Sequence, residues 1–109
     1  MIQVVLKLAA QTPITAEMLH TLRSLMLPLP AEPGFVSCGL YQEDDNPNTI
    51  LYVEEWDTEN ELNRQIRSSH YSRLLNLMEA AASVPELRLN WITDVKGLEY
   101  LETVRLCGV

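Results

Sequence analysis

The chain has 109 residues and a mass of 12.4 kDa, enough for one domain with a single hydrophobic core. Its 15 acidic and 8 basic residues give a formal net charge of −7, which repels both a nucleic-acid backbone and an anionic membrane surface. The 47% apolar content is that of a folded globular protein, and no apolar run is long enough to span a bilayer. We therefore expect a cytoplasmic protein whose partners include neither nucleic acid nor membrane.

The first predicted element is a strand over Ile2 to Leu8, where apolar side chains recur at every second position. The run Thr12-Pro13-Ile14-Thr15 ends this period and offers a helix start. Apolar residues then follow at helical spacing: Met18, Leu22, Leu25 and Leu29. Pro28 and Pro30 are expected to end this helix, and Pro33-Gly34 predicts a turn.

Two further strand-like runs, Phe35 to Glu43 and Asn48 to Trp56, flank a segment of turn-forming residues and predict a β-hairpin. Thr58 and Glu61 then have the spacing of a capping box, which predicts the start of a second helix. The helical pattern is interrupted at residues 68–70 and resumes afterwards. We expect two consecutive helical segments in this region.

Alternating apolar residues over 87–91, after Pro85, predict a fourth strand. The order strand, helix, strand, strand, helix, strand predicts an α+β fold of the ferredoxin-like split βαβ type, with a four-stranded antiparallel sheet and two helices on one face. We assign residues 1–95 to this domain. Residues 96–109 form a C-terminal extension, and apolar alternation around Tyr100 to Leu106 predicts an extra strand or a dimer arm.

Both faces of the predicted sheet carry apolar side chains. Neighbouring positions of the first strand (Val4 and Val5) and of the third (Ile50 and Leu51) are apolar, although they point to opposite faces. Two helices cover only one face of a four-stranded sheet. We therefore predict a homodimer in which sheet packs against sheet, a dimeric α+β barrel. The alternative is a monomer whose tail folds back over the open face.

The sequence lacks most signatures of metal and cofactor chemistry. Its 4 glycines are too dispersed for a phosphate-binding loop, and no G-x-S-x-G marks a nucleophile. His20 and His70 lack the companion ligands that a metal site needs. The 2 cysteines, Cys38 and Cys107, are expected to be buried free thiols rather than a disulfide. We predict a protein without metal or cofactor.

Several motifs together resemble a known family. They are Ala31-Glu32-Pro33-Gly34-Phe35, Tyr41, Asp45-Asn46-Pro47, Glu54-Glu55-Trp56-Asp57, Leu62 and Ser68-Ser69-His70-Tyr71. Over about Ala31 to Leu75 the chain resembles the antibiotic biosynthesis monooxygenase family. The resemblance implies a dimeric ferredoxin-like protein that oxidises quinols, anthrones or related aromatic compounds with O₂, without metal or flavin.

The sequence departs from this family at Gln65, where many members have a histidine five residues before the one that matches His70. Members that use this first histidine, including those resembling autoinducer-processing isomerases, are therefore poorer guides. The haem-degrading branch is also a poor match, because its first-strand asparagine is missing and its helix tryptophan and later histidine fall at Gln65 and near Asn76. We do not expect haem as the substrate.

Oxygenation without a cofactor requires a base that turns the substrate into an electron-rich anion, hydrogen-bond donors and a dry pocket. His70 is the candidate catalytic base. The candidate substrate-binding residues are Trp56, Tyr41, Tyr52 and Asn63. Each has a structural alternative: a histidine bonded to backbone at a helix start, a core tryptophan, cross-strand packing tyrosines and a solvent-facing asparagine. The acidic residues between positions 54 and 61 are expected to form a solvated edge.

Two functions follow as hypotheses. The first is a monooxygenase that acts on a quinol or polycyclic phenol, a small aromatic substrate. The second is a non-catalytic ligand-binding or stress-associated dimer on the same scaffold.

Overall fold

The computed structural model describes residues 1–9, 16–79 and 85–107. The strands in these ranges are β1 (Ile2–Ala9), β2 (Phe35–Glu43), β3 (Asn46–Trp56) and β4 (Glu86–Trp91). The helices are α1 (Ala16–Met26), α2 (Glu59–Ile66), α3 (Ser69–Glu79) and α4 (Leu98–Leu106), with a 3-10 turn at Leu29–Ala31. None of the helices in these ranges is both long and apolar enough to cross a bilayer.

The four strands form one antiparallel sheet in the order β2-β3-β1-β4. The first strand of the chain is therefore a central strand that pairs with both β3 and β4. Together with the element order, this topology confirms the predicted ferredoxin-like α+β fold.

The core lies between the sheet and the helices α1, α2 and α3. Alternate residues of β1 are buried while those between them are half-buried, as the period of a strand requires. From the helices, Leu22, Leu25, Leu62 and Leu74 are also buried. Each fully buried leucine contributes about 1.5–3 kcal/mol to the free energy of unfolding relative to an exposed one. This buried layer therefore holds the helices against the sheet.

The start of α2 is fixed by Thr58, as predicted. Its hydroxyl oxygen accepts a hydrogen bond from the Glu61 backbone N–H at 3.3 Å, and the hydroxyl donates to the Glu61 carboxylate at 3.1 Å. The carboxylate lies over Gly34, where a Cβ would come within 1.7 Å of it, and Gly34 has a φ of +78°. This glycine therefore allows both the turn before β2 and the close approach of α2.

Two element boundaries differ from the predictions. Helix α1 ends at Met26, so the buried Leu29 belongs to the 3-10 turn, because Pro28 and Pro30 interrupt the helical hydrogen bonding. The hairpin turn is limited to Asp44 and Asp45, and β3 begins two residues earlier than expected. The helix start predicted at residues 12–15 lies outside the described residues.

The C-terminal extension forms the helix α4, so the expected extra strand is wrong. Its apolar residues at 98, 101 and 104 are three apart, a spacing that a helix also satisfies, and every residue of α4 is exposed. Its role as a dimer arm remains a prediction. The prediction of buried thiols is wrong for Cys107, which is exposed on this extension, and Cys38 is half-buried; both are free.

The face of the sheet away from the helices is an uncovered surface of mixed character. Val5 and Val53 pair across β1 and β3 and are half-buried, whereas Lys7 and Arg88 border them. This surface, the open face, is the one for which a partner sheet was predicted. The structure contains a single chain, so the homodimer remains a prediction.

Candidate functional site

A buried carboxylate lies on the helix-facing side of β3, near the end of the strand. Glu54 has the same strand parity as Tyr52 and Trp56, and all three side chains are 0% exposed. The expectation that Glu54 belongs to a solvated acidic edge is therefore wrong. Its neighbour Glu55 points to the other face, where it accepts a hydrogen bond from Ser37.

Four side chains direct polar groups at the Glu54 carboxylate. Oε1 accepts hydrogen bonds from Nε1 of Trp56 and from the hydroxyl of Tyr71, both at 2.9 Å. Oε2 accepts from the hydroxyl of Tyr52 and lies 3.3 Å from Nε2 of His70. Two donors on each oxygen use the accepting capacity of the carboxylate fully.

These contacts keep Glu54 ionised despite its burial. Burial alone raises the pKa of the carboxyl, but the hydrogen bonds from His70, Tyr52, Trp56 and Tyr71 together hold it below its usual value. The pKa values of Tyr52 and Tyr71 are raised by burial first and then by the adjacent carboxylate, so both phenols stay neutral donors. At neutral pH the site thus combines a buried negative charge with two neutral phenols that donate to it.

His70 connects this charge to the surface. It is the second residue of α3, and its side chain is 9% exposed. Because an ionised carboxylate only accepts, Nε2 of a neutral His70 carries the hydrogen, and Nδ1 is left with a free lone pair. A neutral imidazole held in this tautomer by a carboxylate is suited to accept a proton at Nδ1.

A groove of about 410 Å³ runs beside His70. Its lining comes from the turn after α1 and from the junction of α2 and α3: Pro28, Leu29, Glu32, Arg64, Gln65, Ser68, Ser69, His70 and Arg73. Its volume lies in the range of sites for small organic ligands, about 300–1,000 Å³. His70 is the residue that borders both the groove and Glu54.

The structure brings together three of the five residues predicted for the site. His70, Trp56 and Tyr52 meet at Glu54, although neither Trp56 nor Tyr52 has an exposed surface. Tyr41 pairs with Leu51 on the open face, where its ring lies over Gly39, so it is on the opposite side of the sheet from His70.

Asn63, the fifth predicted residue, lies on α2 and is half-buried. It does not line the groove beside His70. Its predicted contact with a substrate remains a prediction.

Sequence reasoning missed Glu54, Tyr71 and Gln65 as parts of this site. The signal for Glu54 was its parity: it lies two residues after Tyr52 and two residues before Trp56, so the three side chains share one face of β3. A charged residue at a core parity is a departure from the usual pattern and indicates a functional role. Tyr71 follows His70 directly, and the two rings lie with centroids 5.5 Å apart.

Within the described ranges, no group of three or more His, Cys, Asp or Glu side chains is placed to hold a metal ion. The predicted absence of a cofactor remains a prediction. The groups that the protein itself supplies at this site are a histidine, a buried carboxylate and neutral hydroxyl and indole donors.

The fold and the site define a small α+β protein with a histidine–carboxylate pair beside an accessible groove. The chain belongs to the antibiotic biosynthesis monooxygenase family, whose model matches residues 1–76. None of the curated proteins is significantly similar to it.

Solved structures share this architecture. A conserved protein from Methanosarcina mazei Go1 is 30% identical, with 82% of this chain and 89% of that chain covered and a TM-score of 0.72. Rv0793 from Mycobacterium tuberculosis is 18% identical, with coverage of 88% and 98% and a TM-score of 0.75. SnoaB, a cofactor-independent oxygenase from Streptomyces nogalater, is 18% identical, with coverage of 86% and 94% and a TM-score of 0.71. At 18% identity the last two establish a shared fold.

Proposed function

We propose that this protein is a monooxygenase that oxidises a quinol or polycyclic phenol with O₂ and without a cofactor, with His70 as the catalytic base. The observation that carries the proposal is the position of His70 between the buried Glu54 carboxylate and an accessible groove. Membership of the family supports it. The description of the similarly folded SnoaB as a cofactor-independent oxygenase supports the absence of a cofactor.

The proposed reaction begins with a proton transfer. Nδ1 of His70 removes the proton of a substrate hydroxyl, and the resulting phenolate is electron-rich enough to give one electron to O₂. The radical pair combines to form a C–O bond at a ring carbon that bears hydrogen, and the peroxide oxygen takes a proton from His70. Loss of water from this hydroperoxide leaves a carbonyl.

The electrons and atoms balance without a further reductant. One oxygen atom of O₂ enters the ring and the other leaves as water. Two of the four electrons come from oxidation of the quinol to the quinone, and the other two come from conversion of the C–H bond to a C–O bond. Naphthohydroquinone plus O₂ thus gives hydroxynaphthoquinone plus water.

Glu54 acts through His70. When His70 takes the substrate proton it becomes an imidazolium, and the carboxylate 3.3 Å from its Nε2 stabilises the positive charge. Tyr52, Tyr71 and Trp56 hold the carboxylate in place by the hydrogen bonds described above. In this proposal Trp56 and Tyr52 are positioning residues, because no part of either side chain is exposed to a substrate.

The test is O₂ uptake with 1,4-dihydroxynaphthalene, corrected for the rate without protein. His70→Ala is expected to lower the enzymatic rate by about 10²-fold or more, the usual contribution of a general base. The matched control is His20→Ala, because His20 is exposed on α1 and does not border the groove. Equal loss in both variants, or full activity in His70→Ala, would contradict the role of His70.

The same experiment separates the alternative function. If the wild-type protein binds quinols and related phenols but consumes no O₂ with any of them, it is a non-catalytic ligand-binding protein. Binding is measured under nitrogen by calorimetry, so that this outcome does not depend on turnover.

A further inference from the structure

The groove beside His70 differs in charge from the rest of the chain. The protein carries a net charge of −7, yet residues 62–78 contain no Asp or Glu, and they contain 3 of the 8 basic residues. Two of these, Arg64 and Arg73, line the groove, with Glu32 as its acidic lining residue. Within the described residues neither arginine forms an ion pair. A local cationic surface on an acidic protein favours an anionic ligand.

Gln65 is an independent indication of a ligand at this place. It is only 6% exposed and lines the groove. Across the described part of the chain its side-chain amide has no hydrogen-bond partner, although its backbone oxygen accepts from Ser68. Neither atom of this amide is among the fully buried polar atoms that lack a partner, so the amide is reached from the groove while no group of the described residues uses its hydrogen-bonding capacity. A polar group of a ligand in the groove can therefore hydrogen-bond to it.

The first turn of α3 adds donors at the same end of the groove. Its leading backbone N–H groups lack acceptors within the helix, and the helix dipole places partial positive charge there. The Ser68 hydroxyl donates to the Gln65 backbone oxygen at 2.5 Å, so it is engaged away from this helix end. Ser69, the first residue of α3, lines the groove.

We propose that this groove binds the carboxylate of an aromatic acid, held by Arg64, Arg73 and the Gln65 amide, with the ring hydroxyl at His70. The proposal rests on the proposed function, since it names the substrate class of that site: a phenol or quinol that carries a carboxylate. Arginine binds carboxylates through its planar pair of N–H donors. A volume of about 410 Å³ accommodates a ring system as well as its acid group.

The test compares two ligands that differ only in the carboxylate, 1-hydroxy-2-naphthoate and 1-naphthol. Binding is titrated by calorimetry under nitrogen and at low ionic strength, so that no turnover is needed and screening is small. The acid is expected to bind about tenfold more tightly or better, the size of one charge-assisted hydrogen bond. The preference is expected to disappear in the double variant Arg64→Gln, Arg73→Gln.

The matched control is Arg67→Gln, because Arg67 is exposed in the same segment but does not line the groove. It should keep the preference for the acid. The proposal is overturned if the acid and the naphthol bind equally, if neither binds, or if Arg67→Gln loses the preference as fully as the double variant does. Inorganic phosphate that competes as well as the aromatic acid would also overturn it, because the groove would then be a site for simple oxyanions.

The outcomes distinguish this proposal from the proposed function. O₂ uptake with 1,4-dihydroxynaphthalene and no preference for the acid would support the proposed monooxygenase and contradict the acid-binding groove. A preference for the acid without O₂ uptake from any quinol would support the acid-binding groove and contradict the proposed monooxygenase.

Discussion

Nε2 of His70 lies 3.3 Å from Oε2 of Glu54, across a separation of 16 residues that brings the start of α3 onto the end of β3. Glu54 is 0% exposed and the His70 side chain is 9% exposed, so this contact links a histidine that lines the groove to a charge inside the core. A buried carboxylate is unfavourable unless its hydrogen-bonding capacity is satisfied. The site therefore depends on all four partners of Glu54 together.

Substitution Glu54→Gln is expected to destabilise the fold. The amide keeps the shape of the side chain, but its NH₂ group replaces an oxygen that accepts two hydrogen bonds, so at least one buried donor is left without an acceptor. We expect a loss of about 2–4 kcal/mol in the free energy of unfolding, measured by urea titration. Glu55→Gln is the matched control, because Glu55 is half-buried and faces the opposite side of the sheet. A change below 1 kcal/mol in both variants would contradict the account of Glu54.

Acid should unfold the wild-type protein partly through Glu54. Its pKa in the folded state is below the ordinary value of 4.5, so the folded protein holds this proton less tightly than the unfolded chain does. The resulting stability is present above about pH 4.5 and is lost as the pH falls through the lower, folded value.

This contribution is measured as the difference between wild type and Glu54→Gln in urea unfolding from pH 3 to 6. The advantage of the wild type is expected to shrink toward low pH, while the other carboxyl groups affect both proteins alike. An advantage that stays constant or grows toward pH 3 would show that the Glu54 carboxyl does not have a lowered pKa.

The two tryptophans should differ sharply in fluorescence quenching. Trp56 is 0% exposed and Trp91 is 55% exposed at the edge strand β4. Trp91→Phe leaves Trp56 as the single emitter, and we expect its emission to be shifted to the blue and to resist quenching by iodide. Trp56→Phe is the complementary variant and should remain readily quenched. Strong iodide quenching in Trp91→Phe would mean that Trp56 is reached by solvent.

A second copy of the chain is expected on the open face. Val53 pairs with Val5 and with Gly39 near the middle of this face, so an arginine there would place a charge in the proposed interface. Sedimentation of the wild type should give about twice 12.4 kDa, and Val53→Arg should give a single chain. Leu27→Arg is the control, because Leu27 follows α1 and is already 80% exposed.

The comparison requires that the variants remain folded, which their circular dichroism and unfolding midpoints establish. A wild-type particle of 12.4 kDa at micromolar concentration would contradict the predicted dimer.

The sheet was predictable because its burial pattern is local. In β1 the apolar residues at every second position determine which face is buried. The hairpin and the helix cap at Thr58 were likewise predicted from residues close together in the sequence. The site was only partly predictable. His70 was proposed from its chemistry and the family motif. The burial of Glu54 was not predicted, because acidic residues are usually exposed. One of the donors that stabilise its carboxylate, Tyr71, lies 17 residues further along the chain.

The prediction of a strand at residues 98–106 was wrong for a different reason. Its apolar residues fit both a strand and a helix period, and every residue of α4 is exposed, so burial does not select between the two. A short segment of this kind takes its structure from context that a pattern does not contain.

The central place of β1 in the sheet bears on how the chain is made. The N-terminal strand is synthesised first, yet one of its neighbours ends at Trp56 and the other at Trp91. During synthesis the apolar side chains of β1 therefore remain unpaired and unburied until most of the chain has left the ribosome. The β2–β3 hairpin can form earlier, because its contacts are close in sequence. During that interval β1 exposes the apolar side chains that the folded sheet buries.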